Sequence, residues 1–166
     1  MSETFTIHAL QVGAGQLGLC PLPGRFGRYA DDFAILESWA PDLVLTMTQD
    51  SEMAAEGAAT LGDDLQDLDI SWYALPITDF GAPSKDIIAA WPEVSMLANA
   101  ILKSGGKVLA HCRGGCGRSG MMAMRLMVEM GEAPDTALAR LRAVRPCAVE
   151  TEEQQLWAAA PHLSGV

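Results

Sequence analysis

The fold of this chain is decided by the segment His111-Cys112-Arg113-Gly114-Gly115-Cys116-Gly117-Arg118-Ser119-Gly120. The apolar run at residues 107–110 precedes it and predicts a strand, and residues 117–130 have the spacing of a helix. A glycine-rich loop between a strand and a helix can turn back on itself, so that its amide N–H groups and those of the helix start converge on one point. The sequence therefore predicts an anion pocket with the sulfur of Cys112 at its floor.

The spacing Cys-x5-Arg between Cys112 and Arg118 is weak evidence by itself. With four cysteines and eight arginines in the chain, about 0.2 such pairs are expected by chance. The context strengthens the signal, because the strand, the three glycines, the Arg-Ser exit and the helix all agree with one geometry. The alternative is a glycine-rich turn in which Cys112 is a buried, inert thiol.

The loop resembles the signature of the cysteine-dependent phosphatases, the superfamily of protein tyrosine and dual-specificity phosphatases, which is His-Cys-x-x-Gly-x-Gly-Arg-Ser/Thr. Residues 75–83 resemble the mobile acid loop of that superfamily. Residues 19–24, 43–48 and 145–154 are similar to segments of small atypical dual-specificity and kinase-associated phosphatases. The resemblance implies hydrolysis of phosphate monoesters on phosphorylated proteins or peptides, through a phosphocysteine and without a metal or other cofactor. Phosphotyrosine is the expected substrate, with phosphoserine and phosphothreonine as further candidates.

Strands and helices alternate along the chain. The patterns predict strands at residues 5–10, 16–20, 42–48, 71–75 and 107–110. They predict helices at residues 29–39, after a cap at Asp50 or Ser51, at 85–103 with an interruption at Pro92, and at 117–130, 134–144 and 150–160. This order indicates a single α/β phosphatase domain over residues 1–166, with a central mixed, mostly parallel sheet flanked by helices. Ligands of such sheets bind at the carboxyl ends of the strands, where His111 and Cys112 lie.

Three side chains are predicted to carry the reaction. Cys112 is the expected nucleophile, because a thiolate held by loop amides and a guanidinium can attack phosphorus. Arg118 is the expected phosphate clamp, since its planar group can hold two phosphoryl oxygens and a cation at a helix start needs an anion. Asp79 is the expected general acid for the departing oxygen, with a turn aspartate as the alternative.

Other residues are expected to support these three. Ser119 can donate its hydroxyl to the sulfur of Cys112 when the thiolate leaves, and His111 is expected to fix the shape of the loop. The resemblance implies that Gln154, with Glu150 and Thr151 beside it, orients the water that hydrolyses the phosphocysteine. Many relatives have glutamine where this chain has Glu150, and Thr151-x-x-Gln154 can equally be a capping segment of the last helix.

The loop itself is expected to bind the phosphate of the substrate. Its substrate-binding residues are Arg113, Gly114, Gly115, Cys116, Gly117 and Arg118. Cys116 is unusual at its position for the family, and its thiol is a candidate to trap oxidised Cys112 as a disulfide.

Charge and cysteine usage limit the possible partners. The net charge of −10 argues against nucleic acid and acidic membrane surfaces as partners, while residues 111–147 hold six arginines against three acidic residues. No apolar run has the length of a membrane span, and Met1-Ser2-Glu3-Thr4 does not begin a secretory signal. The four cysteines match neither a disulfide framework nor a zinc site, which predicts a reduced, cytoplasmic protein. The oligomeric state stays open.

Two other functions remain as alternatives. A rhodanese-type sulfurtransferase also uses a cysteine at a strand end, but Gly117 stands where its loop would close with arginine or threonine. A non-catalytic phosphoprotein-binding module is the second alternative, and the presence of Cys112, Arg118 and Asp79 argues against it.

Overall fold

A five-stranded sheet forms the centre of the computed structural model, which describes residues 4–159. Its strands are β1 (His8–Val12), β2 (Gly15–Cys20), β3 (Leu43–Thr46), β4 (Ser71–Ala74) and β5 (Lys107–His111). They lie in the order β1-β2-β5-β3-β4, and only the β1–β2 pair is antiparallel. The predicted mixed, mostly parallel sheet is thereby confirmed.

Helices cover both faces of this sheet. They are α1 (Tyr29–Trp39), α2 (Asp50–Ala55), α3 (Leu61–Asp67), α4 (Lys85–Lys103), α5 (Gly117–Glu129), α6 (Pro134–Val144) and α7 (Glu152–Ala159). Side chains of α1, α2 and α3 pack with Val44 and Leu109 on one face, and those of α4 to α7 pack with Leu45 and Val108 on the other. None of the helices between residues 4 and 159 combines the length and apolar character that a membrane crossing requires.

Several predicted boundaries are wrong, each for a local reason. Helix α2 is capped by Gln49, whose backbone N–H donates to the carboxylate of Glu52 at 2.8 Å, so Asp50 and Ser51 lie inside its first turn. Helix α4 continues through Pro92 because it buries an apolar face that includes Trp91. Burial of each large apolar side chain gives about 1.5–3 kcal/mol, which together outweighs the cost of an internal proline, about 3 kcal/mol.

Three further elements differ from the sequence pattern. Helix α3 was not predicted, since its stretch Leu61–Asp67 is short and acidic. The first strand begins at His8 instead of residue 5, and α7 begins at Glu152 instead of residue 150. The predicted end of that helix at residue 160 lies outside the described residues.

The fold places the glycine-rich loop at the middle of one sheet edge. Strand β5 lies between β2 and β3, both parallel to it, and only its first residue is not fully buried. Helix α5 then runs back from the loop and is buried from Gly117 to Val128. The loop is therefore held at both ends by elements of the core.

Gly120, in the first turn of α5, allows a close approach of the chain that follows α6. A methyl group at this position would lie 2.6 Å from the Val149 nitrogen and 3.0 Å from the Ala148 Cα. We predict that Gly120→Ala lowers the free energy of unfolding. Overpacking costs about 1–3 kcal/mol, which outweighs the gain in helix propensity of about 1 kcal/mol.

Urea or thermal unfolding measures this loss. The matched control is Gly114→Ala, whose added methyl would meet no atom within 4 Å. Equal stability of the two variants would show that the contact at residues 148 and 149 can relax.

Candidate active site

The loop of residues 112–118, here called the phosphate loop, has its carbonyl groups bound from outside. The backbone N–H of Leu22 donates to the Arg113 carbonyl at 3.1 Å. The Cys116 carbonyl accepts from Gly120 N–H at 2.9 Å and from Val149 N–H at 3.2 Å. Donors from the end of β2, from α5 and from the chain after α6 thus surround the loop.

Arg145 binds the two remaining carbonyls at the tip of the phosphate loop. Its Nη2 donates to the Gly114 carbonyl at 2.8 Å and its Nε to the Gly115 carbonyl at 3.1 Å. Sequence reasoning counted Arg145 only among the charges of this region. Its hydrogen bonds to the loop carbonyls could be recognised only from the structure. They depend on the position of residues 145–151, which lie between α6 and α7 and are here called the connector.

These outward carbonyls determine where the loop amides point. In a planar trans peptide the carbonyl of one residue and the N–H of the next point in opposite directions, and residues 4–159 contain no cis peptide. The N–H groups of Gly114, Gly115, Cys116 and Gly117 therefore point away from the outside donors, toward the inside of the loop, where the Gly117 N–H donates to the carboxylate of Glu150. Such converging amides form an anion site.

Gly115 is required for this turn of the loop. Its φ of +73° lies in the left-handed region, and an added Cβ would lie 2.7 Å from the backbone carbon of Cys20. Any side chain at this position would both strain the backbone and collide with the end of β2.

The sulfur of Cys112 lies at the floor of a pocket of about 250 Å³. Cys112 is a free thiol, 3% exposed, and its Sγ lies 3.3 Å from the Ser119 Oγ. The pocket is lined by Arg25, Asp79, Phe80, Cys112, Arg113, Gly114, Cys116, Gly117, Arg145 and Glu150. The structure thus brings the predicted nucleophile, hydroxyl and loop residues together.

Arg118 is fully buried next to this pocket, and its two terminal nitrogens are hydrogen-bonded to other parts of the protein. Nη1 and Nη2 each donate to one carboxylate oxygen of Glu52 at 2.8 Å, and Nη1 also donates to the Ile77 carbonyl at 2.9 Å. Nε has no hydrogen-bond partner among the described residues. A buried, unpartnered N–H of a cation is available for a phosphoryl oxygen.

Glu52 is the carboxylate partner of Arg118, and it was not singled out from the sequence. It lies in the first turn of a helix, where acidic residues are common. Burial tends to raise its pKa, but the hydrogen bonds and charge of Arg118 dominate and hold the pKa of Glu52 below its usual range. Burial likewise opposes the charge of Arg118, and Glu52 more than compensates, so the pKa of Arg118 is raised. The signal that could have found Glu52 is the need of a buried arginine for a carboxylate.

Asp79 lines the pocket and forms an ion pair with Arg118. Its Oδ1 lies 3.4 Å from Nη2 of Arg118, and half of its side chain is exposed. The segment before it is tied to β3, because Leu75 N–H donates to the Thr46 carbonyl at 2.7 Å and Ile77 N–H to the Met47 carbonyl at 3.1 Å. The structure therefore places the predicted acid at the pocket, on a segment anchored at its start.

The three C-terminal residues have different positions. Gln154 is buried, and its Oε1 accepts from the N–H groups of Glu150 at 2.9 Å and Thr151 at 3.2 Å, while its Nε2 donates to the Gly81 carbonyl at 3.0 Å. The hydroxyl of Thr151 accepts from Gln154 N–H at 3.1 Å and so caps the start of α7, as the capping alternative predicts. Glu150 lines the pocket, and burial and the charge of Asp79 raise its pKa.

His111 links the core to the loop. Trp72 Nε1 donates to Thr46 Oγ1 at 2.8 Å, and Thr46 Oγ1 lies 2.6 Å from His111 Nε2. This order is consistent with Thr46 donating its hydroxyl proton to Nε2, so that His111 carries its own proton on Nδ1, 3.4 Å from the Cys112 carbonyl. Burial lowers the pKa of His111 to about 4, which keeps the imidazole neutral.

The cysteines differ from the prediction of four reduced thiols. Cys116 and Cys147 form a disulfide, with a Cα–Cα distance of 5.1 Å, while Cys20 and Cys112 are free. Trapping of oxidised Cys112 by the thiol of Cys116 is therefore wrong for this state, because that sulfur is already bound to Cys147. The pair is separated by 31 residues and could not be identified from spacing alone.

Comparisons with known proteins identify the family. Residues 21–132 match the model of a family described as "Polymorphic toxin system, DSP-PTPase phosphatase". The chain is 33% identical over 147 residues to cyclin-dependent kinase inhibitor 3 of Rattus norvegicus, covering 83% of this chain and 68% of that protein. The chain therefore belongs to the cysteine-dependent dual-specificity phosphatases.

Solved structures agree with this assignment. A crystal structure of kinase associated phosphatase with its catalytic-site cysteine replaced by serine is similar with a TM-score of 0.81 and 27% identity, over 95% of this chain and 94% of that one. Tk-PTP in its active form is similar with a TM-score of 0.73 and 27% identity, over 94% of this chain and 97% of that one. The predicted family, fold class and enzyme class are confirmed, and the sulfurtransferase and binding-module alternatives are set aside.

We predict that Glu52→Gln lowers kcat/KM by about 10- to 100-fold, since a misplaced guanidinium no longer meets the phosphate. The matched control is Glu56→Gln, because Glu56 pairs at 3.2 Å with Arg113, whose side chain is 46% exposed. Steady-state kinetics with an aryl phosphate measures both. Equal activity of the two variants would contradict a positioning role for Glu52.

We predict a pH dependence of stability from His111. Its folded pKa of about 4 lies below its ordinary value of 6.5, so the unfolded chain binds a proton that the folded chain does not as the pH falls through this window. The free energy of unfolding should fall by about 2 kcal/mol between pH 7 and pH 5. Urea unfolding of wild type and His111→Asn at both pH values checks this, and an equal loss in the variant would assign it to other groups.

Proposed function

We propose that this phosphatase hydrolyses phosphate monoesters on phosphorylated proteins, with Cys112 as nucleophile and Arg118 as phosphate clamp. The observation that carries the proposal is the arrangement of donors around one sulfur. The inward amides of the phosphate loop converge above the free thiol of Cys112, and the buried Arg118, whose Nε has no partner among the described residues, lies next to Asp79 of the pocket wall. Preorganised donors of this kind stabilise the charge of a phosphoryl group during its transfer.

In the first step Cys112 attacks the phosphorus in line and the ester oxygen leaves. The loop amides and Arg118 hold the equatorial oxygens, and Asp79 gives its proton to the departing oxygen. The position of Asp79 on the pocket wall, within 3.4 Å of the buried guanidinium, supports this role. The product of the step is a phosphocysteine and a free hydroxyl on the substrate.

In the second step water attacks the phosphocysteine and Cys112 leaves as a thiolate. Asp79 accepts the proton of the water, and Ser119 donates its hydroxyl to the leaving sulfur, consistent with the 3.3 Å between Oγ and Sγ. Gln154 is proposed to orient the water. One Nε2 hydrogen of Gln154 binds the Gly81 carbonyl, which leaves the second for this purpose.

The substrate class follows from the relatives and from charge. The similar proteins are named as a cyclin-dependent kinase inhibitor and a kinase associated phosphatase, which favours phosphoproteins, at phosphotyrosine and at phosphoserine or phosphothreonine. The net charge of −10 disfavours nucleic acid and anionic membranes as partners. A cationic pocket with Arg25 and Arg113 at its wall suits a phosphate on a protein that is not strongly acidic.

The proposal includes a setting for the enzyme. Residues 1–166 are proposed to act as a single phosphatase domain in the cytoplasm. The reaction needs Cys112 in reduced form, which a reducing compartment favours. Cys20 and Cys112 are free thiols, whereas Cys116 and Cys147 form a disulfide.

We predict that Cys112→Ser lowers turnover of para-nitrophenyl phosphate by at least about 1,000-fold, because a serine hydroxyl is not ionised at neutral pH. Vanadate should inhibit the wild type competitively. Asp79→Asn should lower kcat by about 100-fold or more for a phosphothreonine peptide, and by less for para-nitrophenyl phosphate, whose leaving group needs little protonation.

Cys20→Ser is the control, since Cys20 is a free cysteine that does not line the pocket. It should retain most of the activity. If Cys112→Ser turns over as fast as Cys20→Ser, Cys112 is not the nucleophile. If Asp79→Asn lowers kcat equally for both substrates, Asp79 is not the general acid.

A further inference from the structure

The disulfide between Cys116 and Cys147 joins the phosphate loop to the connector through two sulfur atoms that take no part in the proposed reaction. We propose that it is a redox-reversible staple, which holds the phosphate loop in its anion-binding shape and makes the affinity for phosphate depend on the thiol–disulfide balance. This inference rests on the proposed function, because it concerns how the conformation of the same pocket is maintained.

The position of Cys116 makes the staple effective. Cys116 is the N-cap residue of α5, and its carbonyl and amide belong to the phosphate loop. The Cα–Cα distance of 5.1 Å lies within the range that disulfides require. A bond at this residue restrains the loop between Cys112 and Arg118, at a residue that lines the pocket.

The connector is itself a rigid support. Arg142, from α6, donates to the Ala148 carbonyl at 2.9 Å and to the Val149 carbonyl at 2.8 Å. Val149 in turn donates to the Cys116 carbonyl, and Arg145 binds the carbonyls at the loop tip. The disulfide is the one covalent member of this set among the described residues. After its reduction only hydrogen bonds hold the loop against the connector.

The two kinds of cysteine differ in access. Cys116 and Cys147 are both partly exposed, so small thiols and peroxide can reach their sulfurs. Cys112 and Cys20 are buried, with exposed fractions of 3% and 0%. A mild change in the redox buffer should therefore act on the staple before it acts on the nucleophile.

The chemistry balances with common cellular reagents. The two thiols of Cys116 and Cys147 lose two protons and two electrons to hydrogen peroxide, which forms two waters, or to glutathione disulfide, which forms two molecules of glutathione. In the reverse direction two thiol equivalents reduce the bond and are themselves oxidised to a disulfide. In the oxidised state Cys112 stays a free thiol beside Ser119, so the bond is compatible with catalysis. It also keeps the Cys116 thiol away from an oxidised Cys112.

The test equilibrates the full chain in glutathione buffers of defined ratio, with excess reductant removed before assay. Thiols titrated in denaturant should number two in the oxidised protein, from Cys20 and Cys112, and four after reduction. Reduction should weaken inhibition by vanadate about 3- to 10-fold, the cost of reordering a few loop groups on binding. It should also lower the melting temperature by at least about 5 °C.

Variants separate the staple from other effects. Cys116→Ser and Cys147→Ser should behave like the reduced wild type in every buffer, and Cys20→Ser should respond to the buffers as the wild type does. If a serine variant does not fold, the wild type measured before and after reduction gives the same comparison without it.

Three results would overturn the proposal. They are four thiols under all mildly oxidising conditions, an unchanged vanadate inhibition constant after reduction, or tighter inhibition in the reduced state. The thiol count, the melting temperature and vanadate binding followed by calorimetry need no turnover. A failure of the staple is therefore distinguishable from a failure of the proposed reaction.

Discussion

The planarity of the peptide bond is the constraint on which this active site depends. Amides can converge on a phosphate only if the carbonyls of the same peptides turn outward, and buried carbonyls need donors. Leu22, after β2, and Arg145 and Val149, both in the connector, supply these donors from two separate parts of the chain. The glycines of the phosphate loop allow the turn, but the outside donors decide its direction.

The same logic applies to the guanidinium. Arg118 is buried, and a buried cation without a partner would cost several kcal/mol. Glu52 neutralises it with two hydrogen bonds, and Nε is left without a partner among the described residues. The carboxylate of Glu52 therefore both stabilises the charge of Arg118 and fixes the orientation of its guanidinium. Gln154 connects this arrangement to the acid side, because its amide binds both the connector and the Gly81 carbonyl.

Much of the architecture could be predicted from the sequence, because it rests on local patterns. The order of strands and helices, the helix bounds at 29–39 and 134–144 and the position of Cys112 at a strand end all follow from periodicity and caps. Helix α3 was missed, since a seven-residue stretch with three aspartates gives no clear helical period. The interruption at Pro92 was wrong because local propensity yields to the apolar burial along α4.

The residues of the site that lie in one continuous segment could be predicted from the sequence. Cys112, Arg118 and Ser119 lie within eight residues of one another, and Asp79 was found through the resemblance of its loop. Glu52, Arg145 and the disulfide partner of Cys116 were not found, because each acts across 30 or more residues of sequence. Contacts of that kind depend on the sheet order, which one sequence does not determine.

Anion capture at the sulfur of Cys112 is the central claim, and a crystal structure of the wild-type chain with vanadate tests it most directly. We expect vanadium bonded to the Cys112 Sγ, with its equatorial oxygens bound by the loop amides and by Nε of Arg118. Vanadate bound elsewhere, or a loop whose amides point to solvent while Arg118 binds only Glu52, would contradict the account.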